Sequence, residues 1–100
     1  MTDRELLELA AKAAGYTLRD HYEGYPPIAE ETNAAWNPLA DDGDAFRLAS
    51  ALGLVVDFSR PSAALPFRRH SYELSVGGND NTATRRAIVR AAAEIGKDMK

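Results

Sequence analysis

Asp41-Asp42-Gly43-Asp44-Ala45-Phe46-Arg47-Leu48-Ala49-Ser50-Ala51-Leu52-Gly53-Leu54-Val55-Val56-Asp57-Phe58 changes its apolar period partway along. Up to Leu52, the residues Ala45, Leu48, Ala49 and Leu52 recur at helical spacing, with Phe46 alongside. Asp41 suits the N-cap, and the carboxylates of Asp41, Asp42 and Asp44 suit the positive end of a helix dipole. Gly53 followed by Leu54 supplies a left-handed stop with an apolar residue folding back. Beyond it, Leu54, Val56 and Phe58 alternate with Val55 and Asp57, which is the period of a strand. A helix over 41–52 running directly into a strand over 54–58 predicts a fold that mixes both element types.

The flanks extend the pattern. Tyr72, Leu74 and Val76 alternate with Ser71, Glu73 and Ser75, so a central hairpin of 54–58 with 71–76 is expected, its loop bounded by Pro61 and Pro66. Gly77-Gly78-Asn79-Asp80-Asn81 is a turn by composition. A helix follows over about 82–98, with Ala87, Ile88, Ala91, Ile95 and Met99 on one face. Near the start, Thr2-Asp3-Arg4-Glu5 reads as a capping box, with Met1 and Leu6 placed as a hydrophobic staple. Leu6, Leu9, Ala10 and Ala13 give that helix, about 3–14, its expected buried face, and Gly15 before Tyr16 ends it.

Between Thr17 and Glu23 the alternation is weak, and Gly24, Pro26 and Pro27 break it. Ile28–Glu31 is a candidate partner strand, and the remainder up to Pro38 is expected to be irregular. One or two short strands from 17–31 could join the edge of the hairpin. The architecture expected is a single α+β domain over 1–100: a small antiparallel sheet, helices one and three on its apolar face, helix two bridging to it.

Composition narrows the function classes. The 100 residues are 45% hydrophobic and 27% charged, the proportions of one ordinary globular domain. There is no cysteine, which removes disulfides, thiolate metal sites and cysteine nucleophiles. No apolar run reaches the roughly 18 residues of a membrane span, so no membrane association is expected. The opening Met1-Thr2-Asp3-Arg4-Glu5 is charged where a secretory signal would be apolar, and the expectation is a cytoplasmic protein.

The net charge of −3 hides an asymmetry: residues 1–50 carry −6 and residues 51–100 carry +3. Two such halves can meet different partners or pair with each other, and pairing is preferred because an acidic chain is repelled by phosphate backbones.

Three segments together carry a family resemblance. Trp36-Asn37-Pro38-Leu39-Ala40-Asp41-Asp42-Gly43-Asp44-Ala45-Phe46-Arg47-Leu48-Ala49 resembles a block of small uncharacterised proteins of tailed phages and prophages. Leu6–Tyr16 is similar to their first helix and Arg85–Gly96 to their last. A more distant likeness is to NinX-type phage proteins, which share a Trp-Asn-Pro block before an acidic helix start. The resemblance covers about half of the chain and transfers no established activity. It implies an accessory protein working in the host bacterial cytoplasm.

The candidate residues each have a structural and a functional reading. Asp41, Asp42 and Asp44 could hold a hard cation, but they lack the alternating spacing of an EF-hand, and capping is preferred. Trp36 and Asn37 could form an aromatic anchor, and a buried plug with an Asn-Pro turn is the preferred alternative. Arg85 and Arg86 lie in the first turn of helix three, where positive charge opposes the dipole, with Arg90 one turn further on. They are expected to meet the acidic start of helix two, Asp44 with Arg86 being the pair singled out, and Trp36 to pack beneath that junction. The alternative is capture of an anion.

Arg68-Arg69-His70, between Phe67 and Tyr72, is a small basic and aromatic patch of the kind that can touch single strands. His21 and His70 sit in no metal or nucleophile motif, and no cofactor fingerprint is present. No catalytic residue, metal or cofactor is assigned. The leading expectation is a non-enzymatic module binding a host or phage protein. A nucleic-acid-associated protein using Arg68, Arg69, Arg85, Arg86 and Arg90 is the alternative. A metal-dependent hydrolase built on Asp41, Asp42 and Asp44 is the weakest, and the oligomeric state is left open.

Overall fold

The computed structural model describes residues 2–21, 25–57, 62–64, 71–73 and 81–99. Along the chain run α1 (Asp3–Ala14), β1 (Leu18–Arg19), β2 (Ile28–Ala29), β3 (Ala34–Ala35) and α2 (Asp42–Leu52). These are followed by β4 (Val55–Asp57), β5 (Ser62–Ala64), β6 (Ser71–Glu73) and α3 (Thr82–Asp98). The α+β class and all three helices agree with the sequence reading.

The helix ends follow from the residues that punctuate them. Thr2 and Glu5 form the capping box in both directions: the Glu5 N–H donates to Thr2 Oγ1 at 3.1 Å, and the Thr2 N–H donates to Glu5 Oε1 at 3.2 Å. That second bond, from a backbone amide, is the main reason the Glu5 carboxyl sits below its ordinary pKa. Met1, the other half of the expected staple, lies outside the described residues. Asp41 caps α2 by accepting from the Asp44 N–H at 2.8 Å. Gly15 and Gly53 close α1 and α2 at φ +83° and +64°, a left-handed turn in which a side chain is strained.

The strands depart from the expected hairpin. β4 pairs with β5 and β5 with β6, both antiparallel, with Val56 opposite Ala63 and Ala63 opposite Tyr72. So the described residues of the two expected strands, 54–57 and 71–73, do not pair with each other, and the segment read as a Pro-bounded loop supplies the central strand between them; Phe58 and 74–76 lie outside the described residues. Ser62-Ala63-Ala64 has little strand propensity of its own, and the burial of Ala63 to 0% exposure shows what overrides it. α3 packs across this strand, and a small side chain lets the helix come close.

A second correction concerns 17–35. β1, β2 and β3 form their own three-stranded antiparallel sheet and do not extend the first. β3 occupies a stretch expected to be irregular. The Thr17 N–H donates to Glu31 Oε1 at 2.8 Å across this sheet, and that bond holds the Glu31 carboxyl below its ordinary value.

α3 is the central element. α1 packs along it, and α3 rather than α1 makes the extensive helix contact with the β4–β6 sheet, which corrects the expectation that both helices lie on that sheet. Flanked by neighbours on several sides, α3 buries Ala83, Ala87, Ile88, Val89, Ala91, Ala92 and Ala93, a wider arc than one stripe. Met99, expected on its buried face, falls past the helix end and is 43% exposed. On α1 the buried residues are Leu6, Leu7, Ala10 and Ala11; Leu9 and Ala13 are only half-buried, a rotation of the face expected.

The α1–α3 crossing is close enough to require glycine. A Cβ on Gly96 would stand 1.9 Å from the Leu9 carbonyl oxygen. No helix among the described residues is long and apolar enough to cross a membrane.

Candidate functional site

The Trp36–Asp44 block is a clip that sets the start of α2. The Asn37 carboxamide accepts from the Leu39 N–H at 3.1 Å, the turn expected of Asn before Pro. The Asn37 carbonyl accepts from the N–H groups of Ala40 at 3.1 Å and Asp41 at 2.9 Å. Its own N–H donates to Asp44 Oδ2 at 2.9 Å, so loop and helix start hold each other. The other Asp44 oxygen accepts from Arg47 at 2.7 Å, and that bond raises the Arg47 pKa above its ordinary value. Trp36 is 6% exposed and meets Tyr16 edge-on, with ring centroids 5.8 Å apart. It lines a cleft with Tyr16, Asp44, Arg47 and Leu48, on the side of α2 toward the end of α1. Trp36 is therefore the buried plug expected beside the Asn-Pro turn.

The arginines split between two neighbours. Arg85 Nη1 meets Asp42 Oδ1 at 2.5 Å, while its Nε donates to the Leu39 carbonyl at 2.9 Å and its Nη2 to Thr82 Oγ1 at 3.1 Å. Asn81 adds a bond from its amide to Asp42 Oδ2 at 3.1 Å. The junction between the acidic start of α2 and the first turn of α3 thus exists, through Asp42 and Arg85.

Arg86 does not join it. It reaches Asp3 at the start of α1, at 2.6 Å. Successive residues on a helix point about 100° apart, so neighbours in sequence face different neighbours in space. Asp44 and Arg86, the pair singled out from the sequence, each bond elsewhere. Arg90 is exposed, with no ion-pair partner among the described residues.

Beside the junction lies a groove of about 450 Å³ between α2 and α3. α2 contributes Ala45, Phe46 and Ala49, α3 contributes Ile88, and Leu54 and Val56 close the side toward β4. Asp42 and Arg85 line the end at the start of α2. Phe46 is 69% exposed, and Val55 on the neighbouring strand is 63% exposed. A second, more polar cleft of about 270 Å³ runs between α1 and α3, past Arg86, Arg90, Glu94 and Lys97.

The three carboxylates at the start of α2 are each committed to a neighbour. Asp41 accepts from a backbone amide, Asp42 from Arg85 and Asn81, and Asp44 from Asn37 and Arg47. Each carboxylate has its own partners, and among the described residues no group of three metal-ligating side chains converges. The His21 ring lies tilted against Tyr25 at 5.3 Å. The patch Arg68-Arg69-His70 lies outside the described residues.

Sequence reasoning joined the acidic start of α2 to the first turn of α3, but named the pair wrongly and missed the groove. Its one sequence signal was Phe46, which stands one position off the buried row of α2. Comparison with family models, with curated proteins and with solved structures finds no match for this chain.

Proposed function

We propose that this chain is a non-enzymatic binding module that docks another protein in the groove between α2 and α3. The single observation that carries this reading is the apolar groove of about 450 Å³ with a large aromatic, Phe46, left 69% exposed on its lip. Isolated apolar side chains on a surface need no explanation, but one at the mouth of an apolar groove extends a contiguous patch. Asp42 and Arg85 form its polar end, and Trp36, Asn37, Asp41 and Asp44 hold the wall in place behind them. The resemblance to tailed-phage accessory proteins supplies the setting, a host or phage protein as partner in bacterial cytoplasm.

No comparable observation supports a nucleic-acid partner. Arg85 is 15% exposed and Arg86 38%, each bonded to a carboxylate, so Arg90 is left as the one free member of the expected basic set among the described residues. Non-specific attraction to a phosphate backbone needs several uncommitted cations.

The test is affinity capture from bacterial lysate with the tagged chain and with a Phe46→Asp variant of equal thermal stability. The reading expects at least one captured protein to be lost with the variant. Identical captured sets would overturn it.

A further inference from the structure

The smaller of the two faces of β3 to be explained is its outer edge. The first sheet runs in the order β1-β2-β3, so among the described residues β3 has a strand on one side only. Ala34 stands opposite Ala29, and the Trp36 N–H donates to the Pro27 carbonyl at 2.9 Å. Backbone groups along an antiparallel strand face its two sides alternately. Ala34 and Trp36 therefore bond to β2, and Ala35 between them turns its N–H and C=O away from it. Those two groups have no hydrogen-bond partner among the described residues, and Ala34 and Ala35 are both exposed.

The other sheet edges are guarded. β1 carries Arg19, β4 carries Asp57 and β6 carries Glu73, charges of the kind that keep an edge from pairing with a foreign strand. β3 has two alanines and no charge. Both alanines line the Trp36 cleft, whose volume is about 320 Å³. α2 contributes Asp44, Arg47, Leu48 and Ala51 to it, one helix face at three- and four-residue spacing. The two charges of that face bond to each other at 2.7 Å, and the rest of the wall, with Tyr16 and Trp36, is apolar or aromatic. The cleft shares no lining residue with the α2–α3 groove.

We infer that β3 is a strand-addition site: an extended segment of another protein pairs with its outer edge through Ala35 and sets an apolar side chain in the cleft beside Trp36. The edge itself specifies the occupant. An N–H and a C=O on one residue of a strand are met together by a second extended backbone, whose alternate side chains then fall on one face. A helix, whose backbone groups are spent on its own turns, leaves both unmet. This surface is a second one, and the inference stands without the α2–α3 reading.

The experiment is an NMR titration of the isotope-labelled full chain with short synthetic peptides of alternating valine and threonine. One is N-methylated at its threonines, which leaves a single bonding edge and prevents self-association. The other is N-methylated throughout and has no N–H to offer. The first is expected to shift the Ala35 amide and slow its hydrogen exchange, and the second to do neither. Ala35→Pro deletes the outward N–H while Ala34 and Trp36 keep their bonds to β2. It is expected to weaken binding about fivefold or more, read at the Ala34 and Trp36 amides. Ala35→Lys keeps the backbone and adds the charge the other edges carry, and is expected to weaken binding as well, with circular dichroism confirming the fold of both.

No shift with the first peptide, or equal shifts with both, would overturn strand addition. Shifts centred on β4 or β6, or binding indifferent to Ala35→Pro and Ala35→Lys, would overturn the assignment of the edge. A native chain that sediments as a dimer and becomes monomeric in Ala35→Lys would show β3 pairing with a second copy, which also refutes the inference.

Discussion

Gly96→Ala decides between two opposed expectations. On helix propensity alone, alanine in place of glycine stabilises a helix by up to about 1 kcal/mol. In this fold the added Cβ meets the Leu9 backbone: 1.9 Å to the carbonyl oxygen, 2.8 Å to the carbonyl carbon and 3.2 Å to Cα. A close carbon-to-oxygen contact is about 3.3 Å, so α1 and α3 must separate locally by roughly 1.4 Å. Backbone cannot rotate away as a flexible side chain can. A gap of about 0.5–1 Å already forfeits a quarter to a half of each dispersion contact across an interface. The interface affected is built from Leu6, Leu7, Ala10 and Ala11 of α1 against the buried alanines of α3.

Overpacking of this kind costs about 1–3 kcal/mol and sometimes more. A backbone contact this short belongs at the upper end, leaving a net loss of about 2 kcal/mol after the propensity gain. For a domain of 100 residues that lowers Tm by about 8–16 °C. The assay is thermal and urea unfolding followed by circular dichroism, with Glu94→Ala on the same helix as a control. A Gly96→Ala variant that melts at or above the native temperature would refute the close crossing of α1 and α3.

Four further outcomes follow from the geometry. Thr2→Ala removes one arm of the capping box and is expected to cost about 0.5–2 kcal/mol in urea unfolding. Gly53→Ala meets no atom within 4 Å yet forces a Cβ into φ +64°, so a loss of about 1 kcal/mol is expected, and Gly53→Asn should lose less. A double-mutant cycle on Asp42 and Arg85 is expected to show a coupling of about 1 kcal/mol; the cycle on Asp44 and Arg86 should show none, and the reverse result would mean the junction is misassigned. Glu5 and Glu31 both have lowered carboxyl pKa values, set mainly by the backbone amides of Thr2 and Thr17. Their stabilisation is complete above the unfolded carboxyl pKa and lost as pH falls through the lower folded one, so between about pH 5 and pH 3 the native Tm should fall more steeply than that of Glu5→Gln/Glu31→Gln; parallel curves would contradict the assignment.

How much of this was legible in the residues depends on how local each signal was. Helix boundaries were, because Thr2, Asp41, Gly15 and Gly53 act on backbone groups within a few positions of themselves. β5 was not, because Ser62-Ala63-Ala64 becomes a strand through neighbours on both sides and a helix above it, none of them adjacent in sequence. The same holds for the β1–β3 sheet, whose strands are two residues each and leave almost no period to detect. At the site, opposite charge correctly joined the start of α2 to that of α3. It could not say which arginine would reach, since that turns on the rotation of α3 about its own axis. The groove was invisible because a hollow is defined by what three elements fail to fill.

The α1–α3 interface also bears on how the protein comes to be folded. Leu9 rests on Gly96, Asp3 on Arg86, and the Lys12 ammonium donates to the Met99 carbonyl across 87 positions of sequence. Loop-closure entropy must be lost before contacts this distant in sequence reward it. During synthesis α1 leaves the ribosome with its apolar face bare, and its main partner is not yet made. It stays so until the residues near position 96 have followed. Native packing of α1 thus waits on translation of the last turn of α3, and until then its apolar face is open to whatever in the cell collects such segments.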